Sequence, residues 1–281
     1  MKNNKRAFIP REVLVQKILI EHLPDIIIAT QLNTITGCVK YWRYKYKLPG
    51  VRKRTIYWDK KQPLDEWVTG AVIGTVLGDG CLAKNKLGDV FLLIHHCAKQ
   101  KEFVEYKRKL FDSFTIMPVK FALTNFGHGS FKFSTLTHPT LKDLYSKIYI
   151  DGKKRISKEI LEHLTLLGFA LWYMDDGYKE TETNDYYICT HSFSLEDQKI
   201  IRDQLRRKFD IWTTIQKVGK YYKLYICRRS KEQFEKLIIP FIISCMEYKL
   251  RTSALQRLHA ENTKVLRYSP DPVEIQGDKQ K

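Results

Sequence analysis

The chain has 281 residues, 43% of them apolar, enough for one large core or two to three smaller units. Lys and Arg number 49 against 31 Asp and Glu, and the formal charge of +18 points to a polyanionic partner. No apolar run approaches the roughly 20 residues of a membrane span, which excludes a membrane-spanning helix.

In chain order, residues 11–24 (REVLVQKILIEHLP) read as a helix. Residues 25–49 then resemble a helix-turn-helix. Ala29 supplies the small residue of the first helix, Asn33 the turn, and Val39 and Trp42 the buried side of the second helix. That second helix is expected to expose Thr36, Lys40, Tyr41, Arg43, Tyr44 and Lys45, and Lys40, Arg43 and Lys45 are its candidate DNA contacts. Residues 51–61 (VRKRTIYWDKK) read as a basic linker able to follow phosphates.

From residue 61 the pattern is stated twice. An apolar helix ends in Asp-Gly, as GAVIGTVLGDG (70–80) and again as LGFALWYMDDG (167–177). Each is followed by a strand, VFLLIHHC (90–97) and YYICTHSF (186–193). A charged amphipathic helix comes next, at 99–114 and 194–210, with Ile200, Ile201, Leu205 and Phe209 at helical spacing in the second. Hairpins follow at 121–136, turning at Gly127 to Gly129, and at 212–227, turning at Gly219. Short helices at 139–150 and 231–242 close the halves. The order is helix, two strands, helix, two strands, helix, an α+β unit used twice. The boundaries expected are 1–60 for the N-terminal extension and linker, 61–155 and 156–265 for the repeats, and 266–281 for a flexible tail.

Gly70, Gly74 and Gly78 fall on one stripe of the first Asp-Gly helix. Three helical glycines cost about 1 kcal/mol each relative to alanine. Close approach of a second helix offsets that cost, and the partner expected is the other Asp-Gly helix, through Gly168 and Ala170 and with bulkier Trp172 and Met174 beyond. Side by side, the two helices bring Asp79, Asp176 and two negative helix ends together, a concentration of charge that a hard divalent cation such as Mg²⁺ relieves.

VIGTVLGDG (72–80) and FALWYMDDG (169–177) resemble the paired motifs of LAGLIDADG homing endonucleases, closest to the single-chain enzymes of mitochondrial group I introns. The likeness covers roughly residues 64–255 and includes THSFSLED (190–197) and LIIPFIISCMEYKL (237–250). It implies two αββαββα units forming a pseudo-two-fold saddle of β-sheet over duplex DNA. It also implies that the last acid of each motif, Asp79 and Asp176, binds Mg²⁺, with Mn²⁺ expected to substitute, and that a double-strand cut leaves short 3′ overhangs. The preceding positions, Gly78 and Asp175, are counted with the metal ligands but given no catalytic role. KKRIS (153–157) and MEYKL (246–250) match the places of one basic residue per half, nominating Lys249 and Lys154, with Lys153 as a rival.

Period-2 alternation in the hairpins sets Phe131, Phe133, Leu224 and Ile226 toward the core and polar residues on the other face. The DNA contacts expected there are Lys120, Asn125, Lys132, Lys217, Lys223 and Arg228. The reading is therefore a Mg²⁺-dependent homing endonuclease acting as a monomer on duplex DNA. The alternatives are a maturase of the same family that binds its own intron RNA, and a non-catalytic DNA-binding regulator built on residues 11–49. Retention of both Asp79 and Asp176 favours cutting, and a Met start with no terminal Asn makes an intein unexpected. Cys38, Cys81, Cys97, Cys189, Cys227 and Cys245 lack C-x-x-C or zinc spacing, and MKNNKRAFIPREV lacks an apolar signal core. A soluble intracellular protein is expected, in an organelle or in a bacterial or phage cytoplasm.

Overall fold

The computed structural model describes residues 8–20, 23, 25–49, 63–124 and 127–256. The basic linker at 51–61, Asn125 and the tail at 266–281 lie outside the described residues. In chain order the elements are α1 (Arg11–Val15), α2 (Asp25–Gln31), α3 (Thr36–Lys45), α4 (Glu66–Leu77), β1 (Cys81–Lys84), β2 (Val90–Cys97), α5 (Lys101–Leu110), β3 (Lys120–Leu123), β4 (Gly129–Ser134) and α6 (Pro139–Ile148). They continue with β5 (Tyr149–Ile150), β6 (Lys153–Lys154), α7 (Lys158–Glu162), α8 (Leu166–Asp176), β7 (Gly177–Lys179), β8 (Tyr186–Cys189), α9 (Leu195–Phe209), β9 (Thr213–Val218), β10 (Tyr221–Ile226) and α10 (Lys231–Ile238). The duplicated order helix, two strands, helix, two strands, helix is present.

The chain divides into two compact units that cut across the repeats. One holds the residues up to Leu64 with Ala83–Ala98 and Val104–Lys142. The other holds Asp65–Leu82, Lys99–Phe103 and everything from Asp143 onward.

In the first unit, Ile9, Leu14, Ile18, Ile28, Ala29, Cys38, Val39 and Leu48 form a small core, with Trp42 and Tyr46 packed against it. The turn between α2 and α3 passes through Asn33 at φ 48°, a left-handed conformation that asparagine tolerates. Arg43 departs from expectation. It is 8% exposed, and its guanidinium pairs with Asp25 at 2.9 Å, so it holds α3 to α2 and does not face outward. Its position is one turn from Val39, on the side of the helix that packs.

That unit also holds β2, β3 and β4 of a four-stranded sheet of order β1-β2-β4-β3, in which β4 runs antiparallel to both β2 and β3. Alternation in β2 buries Val90, Leu92, Ile94 and His96 and leaves His95 and Cys97 exposed. The register sets His95 opposite Lys132, and Lys132 opposite Lys120, in one row across three strands.

The second unit holds a matching sheet of order β7-β8-β10-β9. Tyr186, Ile188, Leu224 and Ile226 are buried beneath it. The opposite face carries the row Tyr178, Tyr187, Tyr225 and Thr214, beside the row Cys189, Lys223 and Gln216. Ser194 and Asp197 form a capping box at the start of α9, whose side chains and backbone N–H groups satisfy each other. Asp197 also accepts the N–H of Ile156 at 3.0 Å, which ties the segment before α7 to α9.

Several elements differ in extent from expectation. α4 starts earlier because the Asp65 side chain accepts the N–H of Val68 at 2.8 Å and caps it. α10 ends at Ile238, ahead of Pro240, and a 3-10 turn replaces its expected last residues. The β5–β6 hairpin and α7 were not foreseen. They sit on two-residue and five-residue segments too short to show a period.

Candidate active site

α4 and α8 are apolar on every side, and every residue of α8 from Leu167 to Asp175 is buried. The glycine stripe has the use its spacing implies. A methyl group at Gly74 would fall on the backbone carbonyl of Gly168, and one at Gly168 on the carbonyl of Gly70. At Gly70 it would strike Thr165, and at Gly78 the side chain of Asp175. Thr165 meanwhile caps α8 by accepting the Gly168 N–H at 3.2 Å. Two helix backbones in contact along their length fix where both C-terminal ends lie.

Three carboxylates meet at those ends. Asp79 is exposed, Asp176 half-buried and Asp175 buried. Asp79 donates its backbone N–H to the Asp175 carboxylate at 3.4 Å. A carboxylate oxygen of Asp79 lies within 4.8 Å of one from Asp175. Burial, then the nearby charges of Asp79 and Asp175, push the Asp176 carboxyl up to about 7, against the pull of Lys154 and Lys249. This crowding of negative charge at two negative helix ends is what a cation would relieve. These three carboxylates offer oxygen donors, which suit a hard divalent ion.

Each helix end also has its own lysine. The β5–β6 hairpin turns through Asp151 and Gly152, both at positive φ, and delivers Lys154 to α4. Its ammonium donates to the carbonyls of Val76 at 2.7 Å, Gly78 at 3.2 Å and Gly80 at 3.1 Å. A 3-10 turn, Ser244–Lys249, delivers Lys249 to α8, where it donates to the carbonyls of Met174 at 2.5 Å and Asp175 at 3.0 Å. Tyr173 anchors that turn by donating its hydroxyl to the Lys249 carbonyl at 2.8 Å. Burial lowers the pKa of both ammoniums, and the aspartates oppose that shift. Of the two lysines left open by the sequence, Lys154 reaches the helix end while Lys153 is exposed. The Gly78 carbonyl faces the Lys154 ammonium, so this chain directs it to a lysine.

The other residues expected to meet DNA lie on the sheets, just past β10 and on α3. Lys120 and Lys132 are exposed in one row on the first sheet. Lys217 is exposed and Lys223 half-buried on the second sheet. Arg228 is exposed just past β10, 3.8 Å from Asp185. Lys40 and Lys45 are exposed on α3, Lys45 lying over the Trp42 ring at 4.7 Å. Sequence reasoning missed His95 and the tyrosines 178, 187 and 225. Their places at alternate positions of the strands carried the information, but the partners needed the register.

A family model described as the LAGLIDADG DNA endonuclease family matches residues 69–234. Among curated proteins, the cytochrome b mRNA maturase bI2 of Debaryomyces hansenii is 28% identical over 208 residues, covering 70% of this chain and 79% of that protein. Protein RecA of Mycobacterium gastri is 30% identical over 208 residues, and there the chain spans only 48% of its relative's length. Among solved structures, the homing endonuclease I-WcaI bound to its DNA recognition sequence matches with a TM-score of 0.61 at 23% identity, over 76% of this chain and 92% of that one, a likeness of fold. No helix among the described residues is long and apolar enough to cross a membrane.

Proposed function

The chain belongs to the LAGLIDADG DNA endonuclease family, and we propose that it is a homing endonuclease that cuts both strands of one long duplex site, acting as a monomer. The observation that carries this reading is the pairing of α4 and α8, which sets Asp79 and Asp176 at adjacent helix ends, one end held by half-buried Lys154 and the other by buried Lys249. Two motifs in one chain supply both halves of a double-strand cut.

Asp79 and Asp176, with Asp175 beside them, would hold the divalent cation, Mg²⁺ or Mn²⁺ in its place. When bound, the cation supplies Lewis acidity and a water acidic enough to attack phosphate at neutral pH. The protein's part is to fix the carboxylates against helices that cannot shift without a backbone clash. Lys154 and Lys249 offset the negative ends and offer positive charge to the developing phosphorane. An ammonium has three donors, and Lys154 uses three on carbonyls where Lys249 uses two. The open faces of the two sheets, with Lys120, Lys132 and Lys223, are the surfaces proposed for DNA; Lys217, expected beside them, pairs with Tyr222 and has the parity of Leu224 and Ile226, so it belongs to the other face. Lys40, Tyr41, Tyr44 and Lys45 of α3 add a second contact, by a helix seated in the major groove.

The test is cleavage of a duplex library that includes the sequence flanking the gene's own insertion point, with Mg²⁺ and with a chelator. Cuts at one long site, only with the metal and leaving 3′ overhangs, are expected. Asp79→Asn or Asp176→Asn should each abolish double-strand cutting, and full cutting by either variant would end the assignment. Similarity to the bI2 maturase over 79% of its length favours a second reading, intron RNA as partner. Tight DNA binding without cutting under any divalent metal, together with rescue of intron splicing, would select it.

A further inference from the structure

The open face of the second sheet carries a cation that its neighbours hold still. Lys223 lies on β10, an inner strand of the sheet, with Cys189 opposite on one side and Gln216 on the other. Its ammonium donates to the Tyr178 hydroxyl at 2.8 Å and sits over the Tyr187 ring at 4.0 Å. Tyr178 and Tyr187 are themselves stacked, with centroids 5.1 Å apart and planes at 14°. Tyr225 extends the row, its centroid 5.3 Å from that of Tyr187. Tyr178 is two residues beyond Asp176 in the chain, at the start of the strand that leaves the active site.

On the first sheet the matching inner-strand lysine is exposed. Lys132 stands in a row with Lys120 and His95, and its row carries no tyrosine. A lysine on an open strand loses rotamer freedom whenever it commits to one hydrogen bond. A lysine already clamped by a phenol and a ring face has lost that freedom before DNA arrives, and what it binds must sit where the ammonium already points.

We propose that Tyr178 and Tyr187 are positioning residues that aim Lys223 at acceptor atoms on a base edge, so that this half of the enzyme reads sequence through a preset cation. The proposal deepens the DNA-cleaving reading and rests on it. The inner strand of a β-face entering the major groove meets the base edges, while strand ends and flanking loops meet phosphates. Guanine, with O6 and N7 side by side, is the base such a fixed ammonium prefers.

The experiment uses the full-length protein and a randomised duplex DNA pool, selected for binding with a chelator present and sequenced. Wild type, Tyr178→Phe, Tyr187→Leu, Lys223→Met and the double variant Tyr178→Phe with Lys223→Met are compared, each at several salt concentrations. Lys223→Met is expected to erase the preference for one guanine, roughly tenfold or more, with little change at other positions. Tyr178→Phe keeps every charge and ring, and is expected to weaken the same preference about threefold to tenfold with an unchanged salt slope. In the Lys223→Met background, Tyr178→Phe should have no further effect on base preference. Uniform weakening over all sequences by Lys223→Met, with the salt slope reduced by about one, would make Lys223 a phosphate contact and overturn the proposal. Equal effects of Tyr178→Phe in both backgrounds, or none in either, would overturn the positioning role. Tyr187→Leu that leaves the guanine preference intact would remove the ring from it. A wild-type protein that selects no sequence at all would instead refute the endonuclease reading beneath.

Discussion

Gly74→Ala tests the helix contact on which the centre depends. In an exposed helix the change would stabilise by about 1 kcal/mol, because alanine is the better helix former. Here the new methyl falls on the Gly168 backbone carbonyl, and a backbone cannot turn aside as a side chain can. Overpacking of this kind costs about 1–3 kcal/mol, and with no rotamer to relieve it the upper end applies. Set against the propensity gain, the net loss is about 2 kcal/mol, or a fall of roughly 4–8 °C in Tm for a unit of this size. The internal control is Gly37→Ala in α3, where the nearest atom to the added methyl is Ile35 Cδ1 at 3.9 Å. That change should be neutral or stabilise by up to about 1 kcal/mol. Urea unfolding followed by far-UV circular dichroism and by tryptophan fluorescence reads both, since Trp172 is fully buried on α8. A Gly74→Ala protein as stable as wild type would refute the backbone-to-backbone contact and, with it, the fixed spacing of the carboxylates.

The lysines at the two helix ends can be tested singly. Lys249→Met is expected to slow cleavage by about a hundredfold and to lower stability, since two buried carbonyls lose their donor, while Lys154→Met strips three half-buried ones; nicking assays and melting curves check both. Asp197→Ala should cost about 1–2 kcal/mol at neutral pH through loss of the α9 cap. Burial alone would raise the Asp197 carboxyl, but hydrogen bonds from Ile156 and Ser194 hold it below the usual carboxylate range. Its stabilisation is therefore present above about pH 4 and lost as pH falls through the folded value, so wild-type and variant urea midpoints should converge in acid. Arg43→Ala should destabilise the N-terminal helices by about 1–3 kcal/mol, while Lys40→Ala leaves stability alone and weakens DNA binding, as melting and binding assays would show.

The parts of the site legible in the sequence are those written in short local patterns. Glycines spaced by four, an apolar run all round a helix and Asp-Gly at its end depend on residues within two turns, and they located α4, α8, Asp79 and Asp176. Lys154 was separable from Lys153 only once the Asp151–Gly152 turn had set which of them points inward. Arg43 was misread because a basic residue beside exposed Tyr44 looks like a groove contact until Asp25, far back in the chain, is brought to it. The tyrosine row needed the register of three strands, and a shift of one residue would have turned every ring to the other face.

The division of the chain into units has a practical reading for engineering. Asp79, Lys154, Asp176 and Lys249 come from both sequence halves, yet all lie in the unit made of Asp65–Leu82, Lys99–Phe103 and the chain from Asp143 onward. Residues 83–98 and 104–142 carry the strands β2, β3 and β4 and none of these four side chains. A cut at the repeat boundary near residue 155, the natural place to split a duplicated gene, would instead put Asp79 and Lys154 on one fragment and Asp176 and Lys249 on the other. Modularity in this protein runs through the fold, and a map of it drawn along the sequence would misplace the seam.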